Sequence, residues 1–187
     1  MSWINELHIA SGRQVTYDVA FERVIGHEGG LSLDREDRGN WTSGRVGAGE
    51  LKGTKFGISA MSYPNEDIRT LTLERAKHLY MRDFWDRARA GEMDGAIAYQ
   101  LFDAAVNHGV GNAVRMLQSA AGVTQDGIIG DATMDAVSRS DVSSLTIRFN
   151  ARRLRFYTGI STFDKYGRGW TNRVADNLSF AAGDLGS

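Results

Sequence analysis

Apolar residues recur at helical spacing from Tyr17 onward, with Tyr17, Phe21, Val24 and Ile25 on one face, Thr16 placed to cap and Asp18 in the first turn. This stripe predicts a helix that runs to Glu28, where Gly29 and Gly30 supply the stop. Residues 31–60 lose the helical period and become glycine-rich and polar, which predicts loops and a short β-hairpin. Thr72 then opens a second amphipathic stripe through Leu73, Ala76, Tyr80 and Phe84. Residues 93–108 are more apolar, through Ile97, Leu101, Ala105 and His108, and predict a central, largely buried helix. Shorter helices are expected at about 112–121 and 131–138, with Leu117, Ile128 and Ile129 of this region reading as packing residues. In the run LTIRFNARRLRFY, Leu145, Phe149 and Phe156 point to a core and the arginines mostly outward. A last helix is expected from about Trp170, through Val174, Leu178 and Ala181, with Gly183 as terminator. The pattern predicts a mainly α chain with one irregular β-hairpin lobe near residues 31–60. It is read as one folded unit, 1–187, with a motif-bearing region at 15–92 and a helical region at 93–187.

Composition narrows the chemistry. The 187 residues include no cysteine, which excludes disulfides, thiolate metal sites and a cysteine nucleophile. With 42% hydrophobic and 24% charged residues the chain is ordinary for a globular protein, and a single proline leaves helices free to run. The net charge of −1 argues against a general nucleic-acid binder. Arg148, Arg152, Arg153, Arg155, Lys165, Arg168 and Arg173 concentrate positive charge with only Asp164 against it; a solvated helix face is the preferred reading over an anionic-polymer contact. No apolar run approaches the length of a membrane span, so no stable insertion is expected. Glu6, His8 and Arg13 interrupt the start where a signal peptide needs an apolar stretch, giving an expectation of cytoplasmic synthesis without export signal. His8, His78 and His108 share no metal-ligand spacing, and neither metal nor cofactor is expected.

The informative stretch is HEGGLSLDREDRGN followed by TKFGIS at 54–59. A glutamate closing an apolar stripe can be desolvated and kept protonated near neutral pH, as the general acid of glycoside hydrolysis requires. Asp34 and Asp37, in a polar loop, are both candidates for the ionised partner that holds or deprotonates water, and either can instead order the loop. Trp41, Phe56, Tyr63, Trp85 and Tyr166 are candidates for stacking on sugar faces, with Trp41, in a polar segment, expected to be exposed. Asn107 can line a glycan cleft or cap its helix with equal plausibility.

Glu28-Gly29-Gly30, Asp34, Asp37, Gly39 and Thr54-Lys55-Phe56-Gly57-Ile58 together resemble glycoside hydrolase family 108, the endolysin-type N-acetylmuramidases. The likeness continues through Asp83-Phe84-Trp85-Asp86 and Phe102–Gly109. It extends over LQSAAGVTQDGIIGDAT at 117–133, similar to the family's peptidoglycan-binding segment, and to Gly169, Trp170 and Arg173. The resemblance implies a lysozyme-like fold and hydrolysis of the β-1,4 bond between N-acetylmuramic acid and N-acetylglucosamine, with inversion. It implies Glu28 as acid, Asp37 as base or water holder and Thr54 as its assistant; from the residues themselves, Asp34, Trp41, Phe56 and Asn107 are expected to contact substrate. It further implies peptidoglycan glycan strands as partner, a monomer, and a holin-like permeabilising protein in trans that gives access to the periplasmic wall. An insertion at 40–53 separates the glycine turn from Thr54 and leaves Thr42 as a rival; only Thr54 carries the flanking Lys-aromatic-Gly-Ile. Rival activities are a lytic transglycosylase, which needs the acid and uses no water, and a non-catalytic wall-binding module.

Overall fold

The computed structural model describes residues 15–26 and 30–186, and these group into two compact units, Tyr17–Arg87 and the remainder from Ala88 on together with Val15 and Thr16. Glu28 lies outside the described residues.

In the unit Tyr17–Arg87, helix α1 (Tyr17–Ile25) buries Tyr17, Ala20 and Phe21. It ends three residues earlier than the stripe predicts. Gly26, at φ +59°, takes the left-handed conformation open to glycine at little cost and donates its N–H to the Glu22 carbonyl at 3.1 Å, closing the helix before Gly29 and Gly30 are reached. Strands β1 (Thr54–Lys55) and β2 (Ile58–Ser59) pair antiparallel with Thr54 opposite Ser59, and Ser32 bridges to the other side of Thr54. The hairpin loop is two residues, Phe56 and Gly57, both at positive φ (51° and 73°) as a type I′ turn demands. A Cβ at Gly57 would collide with the Tyr80 hydroxyl, so this position admits only glycine without rearrangement. The insertion is ordered as a small ladder. Trp41 bridges to Leu51, the Thr42 N–H donates to the Glu50 carbonyl at 3.0 Å, and the Thr42 hydroxyl accepts the Glu50 N–H at 2.9 Å. Helix α2 (Leu73–Tyr80) is capped by Thr72, whose hydroxyl accepts the Arg75 N–H at 3.1 Å, and runs into one π-helical turn, Met81–Trp85. Tyr17, Phe21, Tyr80, Phe84 and Trp85 make the aromatic core, with successive ring centroids 5.3–5.9 Å apart.

The other unit is helical. Helix α3 (Gly95–His108) buries every residue from Ala96 to Ala105 and packs against α4 (Val110–Ala121), α6 (Val142–Thr158) and α7 (Phe163–Leu185). Helix α5 (Asp131–Arg139) packs on α4. Asp94 and Asp141 cap α3 and α6, accepting the Ala96 and Ser144 N–H groups at 2.9 and 2.8 Å. Five expectations change here. Helix α7 begins at Phe163 and continues through Gly183, and its inward face is completed by Asn177 while Leu178 stays exposed. Arg153 is fully buried rather than outward. Ile128 is 69% exposed, because the turn around it is held by polar contacts instead. Gln118 donates to the Ile128 carbonyl and to Asp126, and accepts the Gly127 N–H.

Candidate active site

Within the unit Tyr17–Arg87 a cleft of about 300 Å³ opens between the end of α1 and the hairpin, at the lower end of the size of small-ligand sites. Val24, Ile25 and Phe56 give it apolar walls, and Ser32 and Thr54 contribute hydroxyl-bearing side chains. Ile25 and Gly30, described residues on either side of the Glu28 segment, both line this cleft. Ser32 then fixes the returning chain to the hairpin: its N–H donates to the Thr54 carbonyl at 2.8 Å and its carbonyl accepts the Thr54 N–H at 3.0 Å. Tyr80 supports the floor by donating its hydroxyl to the Phe56 carbonyl at 3.2 Å. Phe56 thereby keeps a left-handed backbone that costs a non-glycine residue roughly 1–2 kcal/mol.

Thr54 is connected to the acidic loop by a residue that sequence reasoning passed over. Asn40 is fully buried; its Oδ1 accepts the Thr54 hydroxyl at 2.7 Å and its Nδ2 donates to the Asp34 carbonyl at 2.9 Å. Its backbone N–H donates to the Asp37 carbonyl at 3.1 Å, and its carbonyl accepts the N–H groups of Lys52 and Gly53. One asparagine thus ties Asp34, Asp37 and Thr54 into one frame. No local signal marks it, since an asparagine after a glycine reads as a turn residue.

Thr54 and Phe56 line the cleft, whereas Asp34, Asp37 and Trp41 lie in the adjoining loop. Both aspartates are exposed and engaged with backbone: Asp37 accepts the Gly39 N–H at 2.8 Å and Asp34 the Glu36 N–H at 3.0 Å. Trp41 is half-buried instead of exposed, because its indole N–H donates to the Arg35 carbonyl at 2.9 Å. Trp85 is buried in the aromatic core, and Tyr63 donates its hydroxyl to Asp83 at 2.8 Å, where burial and then the Asp83 bond push its pKa up. Neither is a free stacking face. Thr42 is committed to the insertion ladder, which leaves Thr54 as the cleft threonine.

Asn107 belongs to the other unit, where its amide donates back to the Asp103 carbonyl at 2.7 Å, one turn earlier. Asp103 anchors a buried ionic cluster. It meets Arg153 and Arg173 at 2.5 Å each and accepts from the Asn177 amide at 2.7 Å. Burial alone would raise its pKa, and the two guanidinium groups hold it below the usual carboxylate range. His108 accepts from Arg153 Nε at 3.2 Å; burial and then the Arg153 charge lower its pKa to about 4, so it is neutral at pH 7. A carboxylate this enclosed, with both oxygens committed, serves packing rather than proton transfer. Among the described residues no group of three His, Asp or Glu side chains is placed to hold a metal. No helix of the described residues is long and apolar enough to cross a membrane.

Comparison with known proteins bears on both units. Residues 21–109 match the profile described as Glycosyl hydrolase 108, and residues 112–175 match the Predicted Peptidoglycan domain. Among solved structures the chain is similar to "Structure of Brucella abortus SagA", at 27% identity and a TM-score of 0.75, over 90% of this chain and 94% of that one. No curated protein matches at significance.

Proposed function

Because residues 21–109 match glycosyl hydrolase family 108, residues 112–175 match a peptidoglycan domain and the fold is mainly α and lysozyme-like, we propose that the chain is a muramidase that hydrolyses peptidoglycan with Glu28 as general acid. The observation that carries the reading is the apolar cleft, bordered by Ile25 and Gly30 on either side of the Glu28 segment and edged by Thr54. A glutamate that closes an apolar stripe in the sequence can be desolvated, which keeps its proton available for the leaving glycosidic oxygen. The exposed Asp37, its carbonyl held by the Asn40 backbone N–H, acts with Thr54 on the attacking water. Asp34, with its carbonyl held by Asn40, orders the same loop. Water between acid and base calls for an inverting mechanism, in which the first product is the α-anomer. Phe56 and Trp41 flank the path of the glycan strand.

Glu28→Gln and Asp37→Asn, assayed by clearing of purified sacculi with folding checked by circular dichroism, test these roles. Each is expected to lose activity by roughly a hundredfold or more, the usual worth of a placed acid or base. Full clearing by Glu28→Gln rejects the acid, and anhydro-ended products from an active Asp37→Asn reassign the chain as a lytic transglycosylase. We also read the protein as a monomeric lysis enzyme of the phage endolysin type, made in the cytoplasm and reaching the wall through a holin-like partner. Wall damage in cells that express the chain without any such partner contradicts that reading.

A further inference from the structure

The helical unit contains a second and larger cavity, about 500 Å³, at the joined starts of α3 and α6 and one face of α5. Its floor is apolar, made by Ile97, Val137 and Leu145, all buried, and by Met134. Its rim is acidic. Asp94, Asp141 and Glu92 line it, and no basic residue is among the lining residues. Glu92 is compensated by Arg89, which it meets at 2.5 Å. Asp94 and Asp141 are different: both are helix N-caps bonded to backbone N–H groups, and no ion pair to either is found among the described residues within 4 Å. The Ser144 backbone N–H holds the Asp141 carboxyl below its ordinary pKa, so it is charged at neutral pH. Ser138 and Ser140 supply hydroxyls at the same edge.

A site with a greasy floor and two exposed carboxylates on its rim is complementary to an aliphatic chain that ends in a cation. The chain lies along the apolar wall while the charged head stays at the wet mouth. Peptidoglycan offers such a group in its stem peptides, in the diamino acid whose side chain carries a terminal ammonium. The glycan strand itself is N-acetylated and carries no cation. The cavity draws its lining from both matched regions, Glu92 to Ile97 from the glycosyl hydrolase 108 match and Met134 to Leu145 from the peptidoglycan domain match. We propose that this cavity is a stem-peptide subsite that takes the free ammonium side chain of the diamino acid between Asp94 and Asp141. The proposal rests on the reading of peptidoglycan as substrate and is separate from the cleavage chemistry.

The test uses the full chain and two synthetic stem tetrapeptides, one with the side-chain amine free and one with it acetylated, followed by NMR of labelled methyl groups. The free-amine peptide is expected to shift the methyl signals of Ile97, Val137 and Leu145, and acetylation to weaken binding roughly tenfold, as loss of an ammonium facing two partly exposed carboxylates implies. Asp94→Asn with Asp141→Asn should weaken the free-amine peptide by a similar factor. Asparagine caps helices as well as aspartate, so the fold survives this exchange. Ser138→Trp, at the exposed mouth, should block binding outright. Equal binding of the two peptides, undiminished binding by the double variant, or shifts outside the cavity overturns the proposal. So do the same methyl shifts given by glycan chains stripped of peptide. If the peptide binds while peptidoglycan is left uncleaved, the subsite stands and the muramidase reading fails; cleavage without peptide binding gives the reverse.

Discussion

Replacing Asn40 by alanine perturbs a side chain that joins the acidic loop to the cleft. The substitution removes two hydrogen bonds, from the Thr54 hydroxyl at 2.7 Å and to the Asp34 carbonyl at 2.9 Å. Each contributes about 1 kcal/mol net. Because Asn40 is fully buried, the truncation also leaves a small void, adding about 1 kcal/mol. The sum is about 3 kcal/mol, which at a urea slope of about 2 kcal/mol per molar moves the midpoint down by roughly 1.5 M. Activity on sacculi, measured below the transition, should fall at least roughly tenfold, since Thr54 and the Asp34 end of the acidic loop lose their common side-chain anchor. Asn40→Asp separates the two contacts. The carboxylate still accepts from Thr54 but faces the Asp34 carbonyl without a donor, so stability falls while more activity remains than in the alanine variant. The double-mutant cycle of Asn40→Ala with Thr54→Val should give a coupling of about 1 kcal/mol. A change below 0.5 kcal/mol for Asn40→Ala, or zero coupling, refutes the frame.

Further outcomes follow from the same geometry. Gly57→Ala should cost about 2–4 kcal/mol by thermal or urea unfolding, from the positive φ and the collision with the Tyr80 hydroxyl. Thr42→Ala should leave sacculus hydrolysis within about a factor of two, while Thr54→Val lowers it by roughly an order of magnitude; the opposite order moves the cleft role to Thr42. His108 has a folded pKa of about 4, below its ordinary value near 6.5, so the unfolded chain binds more protons between these limits. Its contribution is complete above about pH 6.5 and is lost as pH falls toward 4, by up to about 3 kcal/mol. Unfolding titrations from pH 7 to 4 should show this acid limb, and His108→Asn should flatten it.

Much of the fold is legible in the sequence because it rests on period and punctuation. The Thr72 cap, the buried run of α3 and the Lys55-Phe56-Gly57-Ile58 hairpin are each encoded within a few residues. What escapes is long-range polar pairing. Arg153 reads as one more outward arginine until Asp103, 50 positions earlier, is found against it, and Asn177 displaces Leu178 from the inward face for the same reason. Such burial is affordable only when charge and hydrogen bonds are satisfied together, which no single helix discloses. At the site, Thr54 and Phe56 were legible from the motif, and Asn40 was hidden because its value lies in contacts 6 and 14 residues away. The helix end was misplaced because Gly29 and Gly30 are the louder signal, yet Gly26 is the first residue to turn left-handed.

The most direct test of the muramidase reading is the chemistry of the ends it creates. Purified peptidoglycan digested by the full chain and analysed by mass spectrometry after borohydride reduction should yield new reducing ends at N-acetylmuramic acid, and none when Glu28→Gln replaces the wild type. New ends at N-acetylglucosamine, anhydro sugars or freed peptide amines would contradict it.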